Sequence, residues 1–407
     1  MPSWVIRMAE TLHFTETDPV QEHEFSRAEM RVLRRARHGL HLTELSANGT
    51  SVLARVGPKT GYAGSVMLPG GRGIVVQPKA AINNLPEMLA LAYRTLAPPP
   101  PAGITSVTDT SPSDWLLIQL ASEVNTLMAR GLRRGYVERR EQLPFVRGRT
   151  RPITNPAKLP LLDCEYTDFV VDTPENQLLR AALDLLAPTV RNRNVRRMYD
   201  DALHQLSNVR PTRLSLTQFD RVQLTRLNQH YLPSLRLARL ALEGAGVADL
   251  AGSLTAPAFF VLMWKVWENT VESALADAGV TALRSKPRYR SAFVHSDGKP
   301  DLPITIEPDL TVGPRTHPRL AIDLKWGPAL IKTRHGKLAF NNAHLYQIGT
   351  YATALGCDGL LLYPQMTAPV DVTYTFNGHK IHIRTVDLNF PNLSELRAEA
   401  QRVADSL

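Results

Sequence analysis

A chain of 407 residues, 43% hydrophobic and 21% charged, has the composition of a globular protein and exceeds what one hydrophobic core supports, so two or three domains are expected. No apolar run approaches the roughly 20 residues that cross a bilayer, and the start Met1-Pro2-Ser3-Trp4 lacks the pattern of a secretory signal, so the expected compartment is the cytoplasm, with no membrane partner. Only two cysteines occur, Cys164 and Cys357, which excludes a disulfide framework and a thiolate zinc site; the net charge of +9 leaves nucleic acid and acidic protein partners both open.

Along the chain, Ser26-Arg-Ala-Glu29 reads as a capped helix start running to about Ala36. Gly64 to Leu68 and Ile74 to Gln77 are apolar runs joined by Pro69-Gly70-Gly71-Arg72-Gly73, a hairpin with matching turn chemistry. No Gly-Lys-Ser/Thr follows those glycines, so they serve the turn rather than a phosphate loop. Four prolines, Pro98 to Pro101, read as a stiff linker that closes a β-rich first hundred residues.

From Ser113 to about Gly244 the pattern is mainly helical, with Trp115, Leu116, Ile118, Leu120, Val124 and Leu127 on one face and Leu178, Leu179, Ala182, Leu183 and Leu186 on another. Phe145 to Asp163, rich in Arg, Pro and Gly, reads as irregular. Arginines crowd this region: Arg130, Arg133, Arg134, Arg139, Arg140, Arg147, Arg149 and Arg151, then Arg191, Arg193, Arg196 and Arg197. Such patches suit phosphates or an acidic protein surface.

Thr255 to Ala278 reads as one long helix, with Phe259, Leu262, Met263, Val266, Trp267, Val271 and Leu275 at helical spacing and Trp264 and Trp267 read as core. Strand-like runs follow at Ile304 to Val312, Arg319 to Trp326 and Gly359 to Tyr363, with a helix from about Asn342 to Leu355 between the last two. A hairpin, Val372 to Phe376 with Lys380 to Leu388 around Asn377-Gly378, precedes a closing helix. The expected organisation is a mixed α+β and α/β multidomain chain: a β-rich domain over 1–100, a mainly helical region over 101–250 and a compact α/β domain over 251–407.

Chemistry concentrates in the last domain. In Leu320-Ala-Ile-Asp-Leu-Lys-Trp326 the alternation of a strand puts Asp323 and Lys325 on one face and Ile322 and Leu324 on the other. A carboxylate and an ammonium on an apolar strand are costly unless they meet a charge or a metal. Asp309, after Pro308 on the preceding strand, supplies a second carboxylate, and the carbonyl of Leu324 a third oxygen, a hard donor set suited to Mg²⁺, with Mn²⁺ as a substitute. An isolated Asp-x-Lys is more often a buried ion pair. Here it is joined by Glu268 on the preceding helix and by Gln347 and Tyr351, four apart on the following one.

The ordered set Glu268, Asp309, Asp323-x-Lys325, Gln347-x-x-x-Tyr351 resembles the RecB-like branch of the PD-(D/E)xK nuclease superfamily. By that resemblance Asp309, Asp323 and Glu268 are metal ligands, Lys325 is the catalytic lysine, and Gln347 and Tyr351 steady the site and the DNA backbone. Further stretches are similar to the McrC family: Gly61-Tyr-Ala-Gly64 through Ile74-Val-Val-Gln-Pro-Lys79, Gly135-Tyr136, Phe145-Val-Arg-Gly-Arg149, Thr173-Pro-Glu-Asn-Gln177 onward, and His344-Leu-Tyr-Gln-Ile-Gly-Thr-Tyr351 followed by Leu360-Leu-Leu-Tyr-Pro364. The lysine-rich segment that follows Asp-x-Lys in that family is replaced here by Trp326-Gly-Pro-Ala-Leu330.

The resemblance implies an endonuclease subunit that docks through its N-terminal part on a McrB-like AAA+ GTPase ring, stimulates GTP hydrolysis and cuts double-stranded, modified DNA. Arg147, Arg149, Lys332 and Arg334 are the candidate nucleic-acid contacts. Two other readings stay open from the residues alone: a stand-alone RecB-like repair nuclease or resolvase, and a non-catalytic adaptor that activates a ring. Neither His335 nor His344 is assigned a role.

Overall fold

The computed structural model describes residues 11–69, 71–80, 82, 85–95, 112–150, 161–190, 193–212, 216–244, 258–289, 305–389 and 393–407. The linker prolines Pro98 to Pro101, Arg151, Arg191, the N-terminal residues Met1 to Trp4 and the start of the expected helix at Thr255 lie outside them.

The N-terminal part contains β1 (Leu12–Thr15), β2 (Gln21–Ser26), α1 (Arg27–Arg35), β3 (Leu40–Ala47), β4 (Ser51–Pro58), β5 (Tyr62–Met67), β6 (Gly73–Gln77) and α2 (Leu85–Tyr93). The capping box forms as expected: Glu29 N–H donates to Ser26 Oγ and Ser26 N–H to Glu29 Oε2, satisfying two helix-end donors. Strand β4 lies between β2 and β3, antiparallel to both, and points Val52, Ala54 and Val56 at Phe25, Met30 and Leu33. The expected hairpin is β5 with β6, paired from Gly64↔Val76 to Met67↔Gly73.

The middle region holds α3 (Pro112–Arg130), β7 (Gly135–Leu143), β8 (Arg149–Thr150), β9 (Leu162–Val170), α4 (Pro174–Leu186), α5 (Arg193–Gln205), α6 (Leu216–Arg221) and α7 (Leu232–Gly244). Helices dominate this mainly helical region, but β7, β9 and β8 add an antiparallel sheet in that order that the sequence reading did not include. Its strands are hard to see because Glu138-Arg-Arg-Glu141 presents charge on both faces instead of an apolar alternation. Ion pairs across the sheet meet part of the charge, Arg140 with Asp163 at 2.8 Å and Arg139 with Asp168 at 3.2 Å, and Arg147 from the β7–β8 loop also pairs with Asp168 at 3.2 Å.

The C-terminal part comprises β10 (Ala258–Leu262), α8 (Met263–Asp277), β11 (Leu283–Ser285), β12 (Leu310–Val312), β13 (Leu320–Leu324), β14 (Leu330–Lys332), β15 (Leu338–Phe340), α9 (Asn342–Leu355), β16 (Asp358–Pro364), β17 (Asp371–Phe376), β18 (His379–Val386) and α10 (Ser394–Asp405). The long helix read from Thr255 is in fact a strand running into a helix. Phe259, Phe260 and Val261 favour an extended backbone, and β10 pairs antiparallel with β5 from Ala258↔Val66 to Leu262↔Tyr62. The N-terminal sheet, in order β1-β6-β5-β10, therefore takes a strand from beyond residue 250 and hands the chain directly to α8.

A second sheet runs β11-β12-β13-β16-β18-β17, with β13, β16 and β18 parallel and the flanking pairs antiparallel. Helix α9 makes the crossover from β13 to β16 that a parallel pair requires. One face of the sheet (Leu310, Val312, Ile322, Leu324, Leu360, Leu362) packs on α8 and α10, in a core continuous with α3, α4 and α7. The other face (Ala321, Leu361, Tyr363, Ile381, Ile383) packs beneath α9. Asn377 and Gly378 both take positive φ, 48° and 84°, as the tight turn between β17 and β18 demands. Among the described residues no helix is long and apolar enough to cross a membrane, and both cysteines are buried and free.

Candidate active site

The register of the second sheet assembles the site. Antiparallel pairing of β12 with β13 sets Leu310 opposite Ile322, and one step further brings Asp309, at the bend that begins β12, opposite Asp323. Asp309 Oδ2 accepts the Leu324 N–H at 2.7 Å, which fixes its carboxylate against the edge of β13. Asp323 is 2% exposed, on the face of β13 that lies under α9.

Burial pushes the Asp323 carboxyl up to about 6; Lys325 opposes this shift, and Asp309 adds to it. Lys325 Nζ lies 2.7 Å from Asp323 Oδ2, an ion pair that gives this buried oxygen its partner. The ammonium also donates to Gln347 Oε1 at 2.9 Å. Gln347 Nε2 donates to Tyr351 Oη at 2.9 Å, and Tyr351 Oη donates to the Glu307 carbonyl at 3.3 Å. This chain fixes the Lys325 side chain from α9 and ties α9 back to the segment just before Asp309. The spacing of four along α9 is what lets Gln347 and Tyr351 act together.

Glu268, on α8, is partly withdrawn. It pairs with Lys286 at 2.8 Å, and burial raises its pKa, with Asp309 adding to the shift. Lys286 caps this corner, its ammonium 5.3 Å from the Trp264 ring centre and its backbone N–H on the Asp309 carbonyl. Nothing in the spacing of residues marks Lys286; only the β11–β12 register brings it there. Trp267 is fully buried, as read, whereas Trp264 is 40% exposed. His344, one turn before Gln347, bonds through Nδ1 to Tyr363 Oη at 3.0 Å, and burial lowers its pKa, with Lys325 contributing.

The donor chemistry fits a hard divalent cation: the Asp309 and Asp323 carboxylates face each other, and each raises the cost of the other's charge, which a cation between them would offset. Among the described residues no three His, Cys, Asp or Glu side chains already converge as a cage, because Glu268 is turned to Lys286. The expected nucleic-acid residues divide between two places. Arg149 lies on β8 of the separate β7-β9-β8 sheet and Arg147 in the loop just before it, where it stacks 3.9 Å over the Tyr166 ring of β9. Lys332 and Arg334 sit on the β14–β15 hairpin, between Lys325 and Gln347.

Comparison with known proteins bears on the whole chain. Curated proteins provide no match. Among solved structures, the chain is similar to McrC bound to McrB AAA+ hexamers from Thermococcus gammatolerans, a refined half-complex of a tetradecameric assembly, at 14% identity and a TM-score of 0.60, covering 98% of this chain and 100% of that one. A cryo-EM structure of the Thermococcus gammatolerans McrBC complex aligns at 17% identity and a TM-score of 0.43, over 68% of this chain and 90% of that one. The model of the family described as McrBC 5-methylcytosine restriction system component matches residues 59–364, and the chain belongs to that family.

Proposed function

We propose that this chain is the Mg²⁺-dependent DNA endonuclease subunit of a McrBC-like, modification-dependent restriction system, acting from the cytoplasm. In this reading residues 251–407 form a PD-(D/E)xK nuclease domain, apart from β10, which is lent back to the N-terminal sheet. Residues 1–100 and 101–250 form the part that docks on a McrB-like AAA+ GTPase ring and stimulates it. The observation that carries the reading is the meeting of Asp309 and Asp323 across one register step, with Lys325 on the same face held by Gln347. The solved McrC with the similar fold is bound to McrB hexamers, which supports the partner assignment.

Asp309 and Asp323 would hold the metal, with the Leu324 carbonyl as a further oxygen; Mn²⁺ would serve as well. A divalent cation there supplies Lewis-acid stabilisation of charge developing on the scissile phosphate. The protein's own part is positioning. The Leu324 N–H aims the Asp309 carboxylate, and the Gln347–Tyr351 chain holds the Lys325 ammonium where it orients the attacking water and meets the phosphate. Glu268 reaches the metal only by leaving Lys286, so its contribution is expected to be the smallest of the three carboxylates.

Asp309→Ala and Lys325→Ala should each abolish GTP-dependent cleavage of methylated DNA in the presence of the co-encoded ring, while ring binding and GTPase stimulation persist. Cleavage at the wild-type rate by either variant would refute the site. Efficient cutting by the purified chain without ring or GTP would favour a stand-alone nuclease. Stimulation of a ring with no cutting under any condition would make the chain an adaptor.

A further inference from the structure

Part of the arginine-rich stretch that looks in the sequence like a phosphate-binding patch is neutralised by carboxylates nearby. Arg139, Arg140 and Arg147 are all held by Asp163 or Asp168, and Arg133 is paired with Glu175. The β14–β15 hairpin is different. Lys332, Arg334, His335 and Lys337 are all exposed, and none makes an ion pair with a described residue. Leu330 and Phe340 anchor its base against the core, and Phe340 meets Tyr374 edge-on at 6.2 Å. Ile331 and Leu338, farther out, are 40% and 56% exposed.

We propose that this hairpin is an arm that grips the DNA backbone beside the scissile phosphate, and this deepens, and rests on, the nuclease reading above. Turn chemistry makes the arm short and firm: Thr333 N–H bonds to the Lys337 carbonyl at 2.8 Å, and Gly336 takes φ of 74°, as the return of the chain requires. Its position follows from the fold. Lys332 lies seven residues after Lys325, and Phe340 seven before Gln347, so the arm is inserted between the two residues that hold each other at the site. Seven residues span at most about 25 Å, less than one turn of B-form duplex at roughly 34 Å, so the base of the arm, with Lys332, stays within one turn of the phosphate being cut. An unpaired cation pays no loss of an internal partner when it meets a phosphate, and each such contact releases counterions. Charge and placement together favour duplex DNA over an acidic protein surface.

The test is equilibrium binding of the full chain to a 30-base-pair duplex in a chelating buffer, followed by fluorescence anisotropy over a range of salt concentrations, for the wild type and for Lys332→Ala/Arg334→Ala/Lys337→Ala. The three exposed substitutions should leave the thermal melt in place. They should weaken binding more than tenfold and make the dependence of log K on log salt shallower by about 2 to 3, at about 0.9 per phosphate lost. Each single variant should remove about 0.9. An unchanged slope in the triple variant overturns the proposal, as does a wild type that does not bind the duplex. An unchanged slope together with lost stimulation of the ring GTPase also overturns it, in favour of a protein-docking hairpin. Binding in chelator is independent of cutting, so a hairpin-dependent slope in a protein that never cleaves with Mg²⁺ refutes the nuclease reading and leaves the arm standing. Cleavage by a wild type whose slope ignores the hairpin does the reverse.

Discussion

Asp323→Asn separates a metal site from a structural ion pair by the sign of a stability change. The substitution keeps the shape of the side chain and removes its charge at a position 2% exposed. Burial and the facing Asp309 raise the carboxyl from 3.8 to about 6, so at pH 7 its ionised form burdens the fold by about 3 kcal/mol. An amide lifts that burden and can donate to Asp309, while Lys325 keeps Gln347 as its acceptor and stays partly solvated.

In chelator at pH 7 the variant should therefore melt higher than wild type, by roughly 3 °C if the whole chain unfolds together. The sign of the pH dependence follows. A carboxyl whose folded value lies above its unfolded value stabilises most when protonated, and that stability is lost as pH rises through the folded value. The gap between variant and wild type should thus open from about pH 4 to about pH 6 and stay level above it. Mg²⁺ should close most of that gap. It should raise the wild-type melt by about 2.7 kcal/mol of stability at one hundred times its dissociation constant, with little effect on the variant. Scanning calorimetry with and without Mg²⁺ reads all of this. A variant that melts below wild type in chelator would refute the reasoning and make Asp323–Lys325 a buried pair kept for stability.

Two further expectations concern the joints between the N-terminal sheet and the site. Trp326, next to Lys325, donates its indole N–H at 2.7 Å to Glu16 Oε1, a carboxylate 1% exposed whose same oxygen also accepts the Lys79 N–H. Trp326→Phe should cost about 1.5 to 3 kcal/mol in urea unfolding by removing a donor from a buried charge, and a loss below about 0.5 kcal/mol would show that the bond matters little. At Gly64 an added Cβ would overlap the Phe259 carbonyl where β5 meets β10. Gly64→Ala should destabilise by several kcal/mol and expose the amides of β10 to hydrogen exchange, and wild-type protection there would contradict the packing.

Much of the fold was legible because its signals are local. Ser26 and Glu29 cap a helix by reaching three residues, Asn377-Gly378 turns a hairpin by tolerating positive φ, and α9 shows its face through the pair Gln347 and Tyr351. The pairing of two candidate-site residues was visible in the same way. Period-two alternation alone puts Asp323 and Lys325 together, whatever the rest of the chain does. Local signals failed where a neighbour in space decided the outcome. Ala258–Leu262 is as apolar as a helix face, and it became a strand because β5 offered it unpaired backbone groups. The charged run in β7 became a strand because carboxylates on β9 stand opposite it.

The amino-acid order thus determined the caps and turns and which face of β13 carries Asp323 and Lys325, since these depend on contacts within a few residues. Only the tertiary structure decided that Asp309 faces Asp323, that Lys286 occupies Glu268 and that the N-terminal sheet reaches the site through β10 and Trp326. It also decided which arginines are held in ion pairs, because that depends on the carboxylates that folding sets beside them, and these lie far away in the chain.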